Sequence, residues 1–337
     1  TYLVVNLTVI ALLLSGGREV YTGTLTQGEV IALINYMSQI LINLLRIADL
    51  VISVTRALAS GVRVSEILNT PTTMADPAAA GLEPVAGSPA AAFDHVTFTY
   101  RGAGGPSLTD VSFAARPGET VGVIGGTGSG KTTLVDLVAR FYDAGNGAVR
   151  LFGHDIRDYS FAQLRRMIGI VPQQAVLFTG TIRDNMQWAA PNATDDEIWA
   201  ALEIAQAADF VRNKPGMLDA EVETAGRNFS GGQRQRLTIA RALVPQPQIL
   251  ILDDSASALD FATDAALRAA LKEKTRGMTV FLVSQRAASV QRADHILVLD
   301  DGQLVGDAPH ADLLRDCPVY REICLSQFSR EEVAKTL

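Results

Sequence analysis

Two consecutive carboxylates, Asp253 and Asp254, follow the apolar run ILIL at 249–252 and precede a loop of small residues. An apolar run that ends in acid is typical of a buried strand in a parallel sheet, whose carboxyl edge is where α/β proteins bind ligands. If that ligand is a nucleotide with magnesium, one acid can serve the metal ion and the other can act as a base toward water. The pair therefore predicts a site for phosphate chemistry, provided that Asp254 reaches the water.

A glycine-rich loop, GGTGSGKTT, follows the β-branched strand TVGVI and precedes TTLVDLVARFY, an amphipathic segment that we predict to be helical. The loop matches GxxxxGK[ST], in which backbone N–H groups surround phosphate oxygens, the lysine reaches the β and γ phosphates and the next hydroxyl binds Mg²⁺. Because strand, loop and helix agree, a glycine-rich turn without a ligand is the weaker interpretation. Asp253 is predicted to hold the magnesium shell through water, the alternative being a cap of the following turn. The predicted binding residues of the loop are Gly125, Gly126, Thr127, Gly128, Ser129, Gly130, Lys131, Thr132 and Thr133.

A second glycine-led segment, NFSGGQRQRLTIARAL at 228–243, predicts a helix whose N-terminus is an anion site. Taken alone, SGGQ is also compatible with an ordinary capped helix start. Together with the loop and the acids, however, the segment resembles the signature sequence of ATP-binding cassette (ABC) transporters. The resemblance to the nucleotide-binding domain of that family covers residues 93–328.

The resemblance implies an α/β P-loop NTPase fold that binds ATP and Mg²⁺, with a helical subdomain at about 175–243 and all-α transmembrane helices before it. In the family, two nucleotide-binding domains dimerise head to tail, so that ATP lies between the P-loop of one domain and the signature of the other. The signature of this chain would therefore complete a site on a second ABC half-transporter. The signature residues implied to bind nucleotide are Ser230, Gly231, Gly232 and Gln233.

Three further residues carry over from the family by their positions. Tyr100 resembles the aromatic residue that stacks on adenine, the alternative being one more strand aromatic. Gln173, in IVPQQ, resembles the catalytic-site glutamine that senses magnesium and couples to the membrane domain. Asp260, which closes SALD, resembles the acid of the loop that crosses between two such domains.

Two catalytic positions depart from the family pattern. Asp254 stands where the family has a glutamate, so its carboxylate is retracted by roughly 1.5 Å, one C–C bond, whereas general-base catalysis requires hydrogen-bond reach of about 3 Å. Gln285 stands where the family has a histidine, and glutamine cannot become cationic. We therefore predict that the site on this chain's own P-loop binds ATP but turns over slowly, as in one half of a heterodimeric exporter.

The segments before this domain are predicted to be membrane helices. The apolar run TYLVVNLTVIALLL is expected to be the end of one such helix, with further segments upstream. Thr26 and Glu29 form the pattern of a capping box that opens a helix at 27–68, about 60 Å long and thus about twice the hydrocarbon thickness. Polar residues recur along one face of this helix, where they either line a substrate cavity or bond neighbouring helices. These residues are Asn35, Gln39, Asn43 and Arg46.

The predicted domains are a partial transmembrane domain at 1–68, a proline-rich linker at 69–92, the nucleotide-binding domain at 93–328 and a tail at 329–337. The net charge of −7 and the lack of a basic block argue against a nucleic-acid partner. The two cysteines, Cys317 and Cys324, lack a metal-site spacing and are expected to be free thiols.

We expect an integral protein of a bacterial inner membrane, with its nucleotide-binding domain in the cytoplasm, contacts with membrane lipid and a transported small molecule or peptide. Three alternatives remain open at this point. They are a homodimeric exporter with weak symmetric hydrolysis, a soluble ABC-type ATPase that acts on DNA or ribosomes, and a regulatory nucleotide-binding module. The long apolar helix and the acidic charge balance argue against the soluble ATPase.

Overall fold

The structure, a computed structural model, describes residues 2–70, 72, 74–77, 81–255, 259–275 and 277–328. It divides into two compact units between residues 73 and 74, inside the predicted linker. The predicted tail at 329–337 lies outside the described residues.

The first unit consists of the helices α1 (Tyr2–Tyr21) and α2 (Gln27–Leu68). The predicted capping box is confirmed, because the Thr26 side chain accepts a hydrogen bond from the Glu29 N–H and the Glu29 carboxylate accepts one from the Thr26 N–H. The two helices meet closely where Gly16 lies against Val30, since a Cβ on Gly16 would stand 2.7 Å from a Val30 methyl group.

By length and composition, α2 is long and apolar enough to cross a membrane, and it is the one such helix among the residues that the structure describes. Its predicted bounds are confirmed. The four polar residues singled out in the sequence are all exposed on it, alongside many exposed leucines, isoleucines and valines. An exposed apolar surface of this extent is typical of a helix that contacts lipid or other helices.

The second unit is built on a six-stranded sheet in the order β12-β11-β3-β10-β9-β6. All neighbouring pairs are parallel except β11 and β12, so the predicted mostly parallel sheet is confirmed. Its inner strands are continuous apolar runs because helices cover both faces. The strands are β3 (Thr120–Gly125), β6 (Ile168–Val171), β9 (Ile249–Asp253), β10 (Thr279–Val283), β11 (His295–Asp300) and β12 (Gln303–Ala308).

A second, antiparallel sheet, in the order β2-β1-β4-β5, was not predicted. Its strands are β1 (Ala91–Phe98), β2 (Leu108–Ala115), β4 (Asn146–Leu151) and β5 (His154–Asp155). Phe93 and Phe113 face each other across β1 and β2 with their rings stacked at 4.7 Å. Buried and exposed residues alternate along much of β2, the pattern of a sheet with one solvated face.

Short helices complete the second unit. The predicted helical subdomain at 175–243 contains four of them and the short ribbon β7 (Gly180–Thr181) and β8 (Glu221–Val222). The helix predicted after SGG is confirmed, and its apolar residues Leu237, Ile239, Ala240 and Leu243 are buried. Cys317 and Cys324 are free and buried. The helices are α3 (Lys131–Val138), α4 (Phe161–Met167), α5 (Ile182–Gln187), α6 (Asp195–Ile204), α7 (Ala208–Arg212), α8 (Gly231–Leu243), α9 (Phe261–Lys274), α10 (Ala287–Val290), α11 (His310–Asp316) and α12 (Pro318–Gln327).

The helix after the glycine-rich loop is shorter than predicted, because α3 ends at Val138 and not at Tyr142. Arg140 ends it by adopting the left-handed conformation, with φ of 52°. The Arg140 side chain is 2% exposed and forms an ion pair with Asp143 at 3.1 Å. Its guanidinium also donates to the carbonyls of Tyr159 and Ala75, each at 2.9 Å. These bonds to distant segments outweigh the local preference for helix.

The later part of the predicted linker is attached to the second unit by specific hydrogen bonds. Besides the Ala75 carbonyl, the Asp76 carboxylate accepts from the Phe161 N–H at 2.9 Å. Gln163 bonds both the N–H and the carbonyl of Leu82, at 3.1 and 2.7 Å. The described part of this segment is thus an ordered strap on the second unit.

The buried position of Arg140 predicts a large loss of stability in Arg140→Ala. Removal of the guanidinium leaves Asp143 and two carbonyls without their partner, so we expect a loss of about 3 kcal/mol in the free energy of unfolding. Arg157→Ala is the matched control, since the Arg157 side chain is 53% exposed and its ion pair is with Asp155, and the loss should stay below about 1 kcal/mol. Denaturant unfolding in detergent measures both variants, and equal losses would contradict the role given to Arg140.

Candidate functional site

The glycine-rich loop joins β3 to α3 at the carboxyl edge of the parallel sheet. Gly128 and Gly130 have φ of 80° and 97°, in the left-handed region that favours glycine. A Cβ on Gly130 would stand 2.7 Å from the Ser107 carbonyl oxygen and 2.7 Å from a Leu108 methyl group. No other residue fits this position without moving the start of β2.

Lys131 folds back over the loop that precedes it. Its ammonium donates to the carbonyl oxygens of Gly125 and Gly126, at 3.0 and 2.6 Å. Burial lowers the pKa of Lys131, while the charges of Asp254 and Asp253 act in the opposite direction. The ammonium of Lys131 thus contacts the loop carbonyls and lies close enough to Asp253 and Asp254 for their charges to act on it.

Thr132 and Asp253 meet as the sequence predicts. The Thr132 hydroxyl donates to the two Asp253 carboxylate oxygens at 3.1 and 3.4 Å. Burial raises the pKa of Asp253, and the charge of Asp254 adds to that shift. A hydroxyl beside a carboxylate suits Mg²⁺, which takes few protein oxygens and fills its octahedron with phosphates and water. Among the described residues, no group of three or more His, Cys, Asp or Glu is arranged to hold a metal ion on its own.

Asp254 has φ of 42°, in the left-handed region that non-glycine residues adopt uncommonly. Its N–H donates to the Val283 carbonyl at 3.0 Å, which fixes its backbone to β10. Gln173 reaches the Asp254 carboxylate with its amide nitrogen at 3.4 Å. Burial raises the pKa of Asp254, opposed by the charges of Arg286 and Lys131. The structure therefore brings Gln173 and Asp254 together beside Lys131.

Gln285 follows β10, the neighbour of β9, and its side chain is exposed. Its carbonyl accepts a hydrogen bond from the Gln327 amide at 2.8 Å. The next residue, Arg286, was not predicted from the sequence, although its charge acts on Asp254. Its position directly after Gln285 was the feature of the sequence that could have indicated this role.

Tyr100 lies just beyond the end of β1, with its ring partly buried. Its hydroxyl is 3.1 Å from the Thr133 hydroxyl on α3. The rings of Phe98 and Tyr142 contact it nearly at right angles. Tyr100 is thus attached to the helix that carries Lys131 and Thr132, and its contact with adenine remains a prediction.

The signature residues form a capping box at the start of α8. The Ser230 hydroxyl accepts from the Gln233 N–H at 3.3 Å, and the Gln233 side chain accepts from the Ser230 N–H at 3.1 Å. Ser230 and Gly231 are exposed, and Gly232 is partly exposed. In the described parts of the chain, no hydrogen bond links these residues to the glycine-rich loop. They are therefore open to a partner.

Asp260 caps the start of α9. Its carboxylate accepts from the N–H and the hydroxyl of Thr263, at 2.9 and 2.8 Å, and these bonds lower the pKa of Asp260. Residues 256–258 of the preceding loop lie outside the described residues. The proposed contact of Asp260 across a domain interface is therefore a prediction.

Asp136, one turn after Thr132 on α3, is a third carboxylate near the site that the sequence analysis did not identify. Burial raises the pKa of Asp136 to about 6, and the negative charge of Asp253 contributes to the shift. Three carboxylates, those of Asp136, Asp253 and Asp254, thus lie near the site, and the two positive charges of Lys131 and Arg286 offset only part of their negative charge. A divalent cation would offset the rest.

Comparison with known proteins shows similarity to ABC transporters. The profile of the ABC transporter family matches residues 108–257. A Mycobacterium tuberculosis relative, described as an uncharacterized ABC transporter ATP-binding protein, is 40% identical over 97% of this chain and 56% of its own length. The fatty acid ABC transporter ATP-binding/permease protein of Mycobacterium bovis is 38% identical over 94% of this chain and 50% of its own.

A solved structure of a bacterial Atm1-family ABC exporter with ATP bound matches this fold with a TM-score of 0.75 at 32% identity. The match covers 98% of this chain and 57% of that chain. The chain thus spans about half the length of the curated relatives and of the solved structure.

The raised pKa of Asp136 predicts a pH-dependent gain in stability for Asp136→Asn. Below pH 3.8 the carboxyl is protonated in both the folded and the unfolded chain, and between 3.8 and about 6 the unfolded chain ionises first. Stability is therefore lost as the pH rises through this window. Asparagine removes that loss, which is about 1 kcal/mol at pH 8 after allowance for the half-exposed position.

Thermal unfolding of the nucleotide-free protein at pH 4 and pH 8 measures this effect. Asp136→Asn should raise the midpoint at pH 8 and leave it nearly unchanged at pH 4. The exposed Asp94 provides the control, Asp94→Asn, which should change neither midpoint appreciably. A loss of stability at both pH values would show that the Asp136 carboxylate makes a favourable contact instead.

Proposed function

The chain belongs to the ABC transporter family through its nucleotide-binding domain, and we propose that it is the ATP-binding part of a half-transporter that exports a substrate across a membrane. The observation that carries this proposal is the group formed by Lys131, Thr132 and Asp253 at the carboxyl edge of the sheet. These three side chains lie within hydrogen-bond reach of the loop or of one another. Such a group binds the phosphates of ATP and the Mg²⁺ that accompanies them.

In this proposal, different residues of the site serve ATP binding and ATP hydrolysis. Lys131 would bind the β and γ phosphates, with the loop N–H groups surrounding their oxygens. Thr132 and, through water, Asp253 would hold Mg²⁺, which neutralises charge on the phosphates. Asp254 is in the place of the general base, and Gln173 orients it through the contact at 3.4 Å. Tyr100 would stack on adenine.

The membrane part of the proposal rests on α2. This helix has 42 residues and is therefore about 60 Å long, enough to cross the hydrocarbon layer and continue into the cytoplasm. The likeness to a solved exporter over nearly the whole chain supports the same arrangement. The polar residues of α2 would then line a substrate path or form hydrogen bonds with neighbouring helices. We infer an inner bacterial membrane, with the nucleotide-binding domain on the cytoplasmic side.

We further propose that the site on this chain's P-loop hydrolyses ATP slowly. The bond from the Asp254 N–H to Val283 fixes the main chain, so a backbone shift is not free to compensate for the missing methylene. Gln285, being neutral, cannot supply the positive charge that a histidine would bring to the γ-phosphate. ATP binding is spared, because the loop, Lys131 and the Thr132–Asp253 pair are complete.

The exposed signature of this chain would complete the active site of a second half-transporter. Ser230 and Gly231 lie at the start of a 13-residue helix, where N–H groups and the helix dipole favour a phosphate. Both signature glycines are present, so the signature of this chain would be complete for binding a nucleotide on the partner's P-loop. These two features support the proposal of a heterodimer with one slow and one fast site.

The binding proposal predicts that Lys131→Ala weakens ATP binding by about 10- to 100-fold, the loss of a charge-assisted hydrogen bond. Equilibrium binding of radiolabelled ATP with Mg²⁺ to the chain in detergent measures this. Lys272→Ala is the matched control, because Lys272 is exposed near the end of α9, and ATP affinity should not change. Unchanged affinity in Lys131→Ala would refute the proposed nucleotide site.

The slow-site proposal predicts the outcome of exchanging Asp254 in the complete transporter. Asp254→Asn should leave overall ATP turnover nearly unchanged, whereas loss of the partner's general base should abolish it. Asp254→Glu restores the reach of the carboxylate and should raise turnover at this site. Trapping of ADP with vanadate reports each site separately. Predominant trapping at Lys131 in the unmodified pair, or full turnover by this half-transporter as a homodimer, would contradict the proposal.

A further inference from the structure

Three aromatic rings meet beside the loop that carries the proposed nucleotide site. Phe98 ends β1, Tyr100 follows it, and Tyr142 comes from the turn after α3. The centroid of the Tyr100 ring is 4.8 Å from that of Phe98 and 5.1 Å from that of Tyr142. Phe98 and Tyr142 also contact each other, at 5.4 Å. The sequence analysis identified only Tyr100 in this cluster.

The orientation of the Tyr100 ring is fixed by contacts on several sides. Its plane makes angles of 85° with Phe98 and 89° with Tyr142, the edge-to-face geometry that aromatic pairs prefer. Its hydroxyl is 3.1 Å from that of Thr133. Phe98 belongs to the same strand end as Tyr100, so the contacts that relate the ring to α3 are those with Thr133 and Tyr142.

Tyr142 is itself held in place from both sides. Arg140 reverses the chain with φ of 52° and forms an ion pair with Asp143 at 3.1 Å, so the residues that flank Tyr142 are joined. The Phe141 N–H donates to the Asp136 carbonyl at 2.9 Å, which attaches the turn to the last part of α3. Tyr142 nevertheless remains 42% exposed. The turn that carries Tyr142 is thus fixed, and its ring packs against Phe98 and Tyr100 while the rest of it is open to solvent.

We propose that Tyr142 is a positioning residue for the nucleobase. It holds the Tyr100 ring at a fixed angle relative to α3, so that base stacking and phosphate binding occur in one geometry. This inference rests on the proposed binding of ATP at the glycine-rich loop. Tyr142 makes no hydrogen bond to Lys131, Thr132 or Asp253 within the described part of the chain, so its effect falls on the base and not on the phosphates.

The comparison of ATP with inorganic tripolyphosphate, which lacks the base, tests this role. Tyr142→Ala should weaken the binding of ATP with Mg²⁺ by about three- to tenfold, the worth of an aromatic pair, and should leave the binding of tripolyphosphate with Mg²⁺ within about twofold. Tyr142→Phe keeps the ring and is the matched control, with both affinities expected within about twofold of the unmodified chain. Displacement of a fluorescent ATP analogue from the chain in detergent measures both ligands.

A double-mutant cycle shows whether Tyr142 acts through Tyr100. Tyr142→Ala should cause no further loss of ATP affinity when Tyr100→Ala is already present, since the ring that it orients is gone. Equal additional losses in both backgrounds would overturn the positioning role. So would equal weakening of ATP and tripolyphosphate by Tyr142→Ala, which would mean that the turn supports the loop itself.

The outcome for the unmodified chain separates this inference from the proposed function. If the unmodified chain binds neither ligand, the nucleotide site is wrong and the role of Tyr142 falls with it. If the unmodified chain binds both ligands and Tyr142→Ala changes neither affinity, only the positioning role is refuted.

Discussion

The close approach of two backbone segments to the glycine-rich loop is the constraint on which the site depends. A Cβ on Gly125 would stand 2.2 Å from the Leu299 carbonyl oxygen at the end of β11, and one on Gly130 would stand 2.7 Å from the Ser107 carbonyl oxygen before β2. The loop therefore lies between the parallel and the antiparallel sheet, with no room for side chains at those two points. Because the loop is confined in this way, Lys131 starts α3 facing back toward the loop carbonyls and the acids Asp253 and Asp254 at the end of β9.

Charge is the second determinant of the site. One ammonium, that of Lys131, lies near Asp253 and Asp254, and burial raises the pKa of both acids while it lowers the pKa of Lys131. Such a group is balanced when a divalent cation joins it and a polyphosphate meets the loop. Asp254 is the exception among the site residues, because its backbone is strained and its side chain is the shortest acid available. In the proposed function, ATP binding and slow hydrolysis therefore rest on different residues, the former on Lys131, Thr132 and Asp253 and the latter on Asp254.

The parts of the structure that the sequence predicted are those set by local chemistry. The capping boxes at Thr26 and Ser230 need only a hydroxyl and a Glu or Gln three residues later, so they were predictable from the sequence alone. The glycine-rich loop and the strand before Asp253 are equally local. The end of α3 was not predictable, because the left-handed conformation of Arg140 is stabilised by carbonyls at Ala75 and Tyr159, far away in the sequence. The antiparallel sheet and the contacts of Tyr142 depend in the same way on pairing between distant segments.

Arg140 connects two regions that are far apart in the sequence. One hydrogen bond of its guanidinium goes to Ala75, in the segment that follows α2, and its ion pair with Asp143 closes the turn that carries Tyr142. Since the Arg140 side chain is 2% exposed, water does not readily replace a lost partner. If this turn moved toward or away from a bound base, the movement would therefore act on Arg140, which binds the strap at Ala75. The buried guanidinium of Arg140 thus joins the turn that carries Tyr142 to the strap at Ala75, in addition to the bonds that Phe161 and Gln163 make to the same segment.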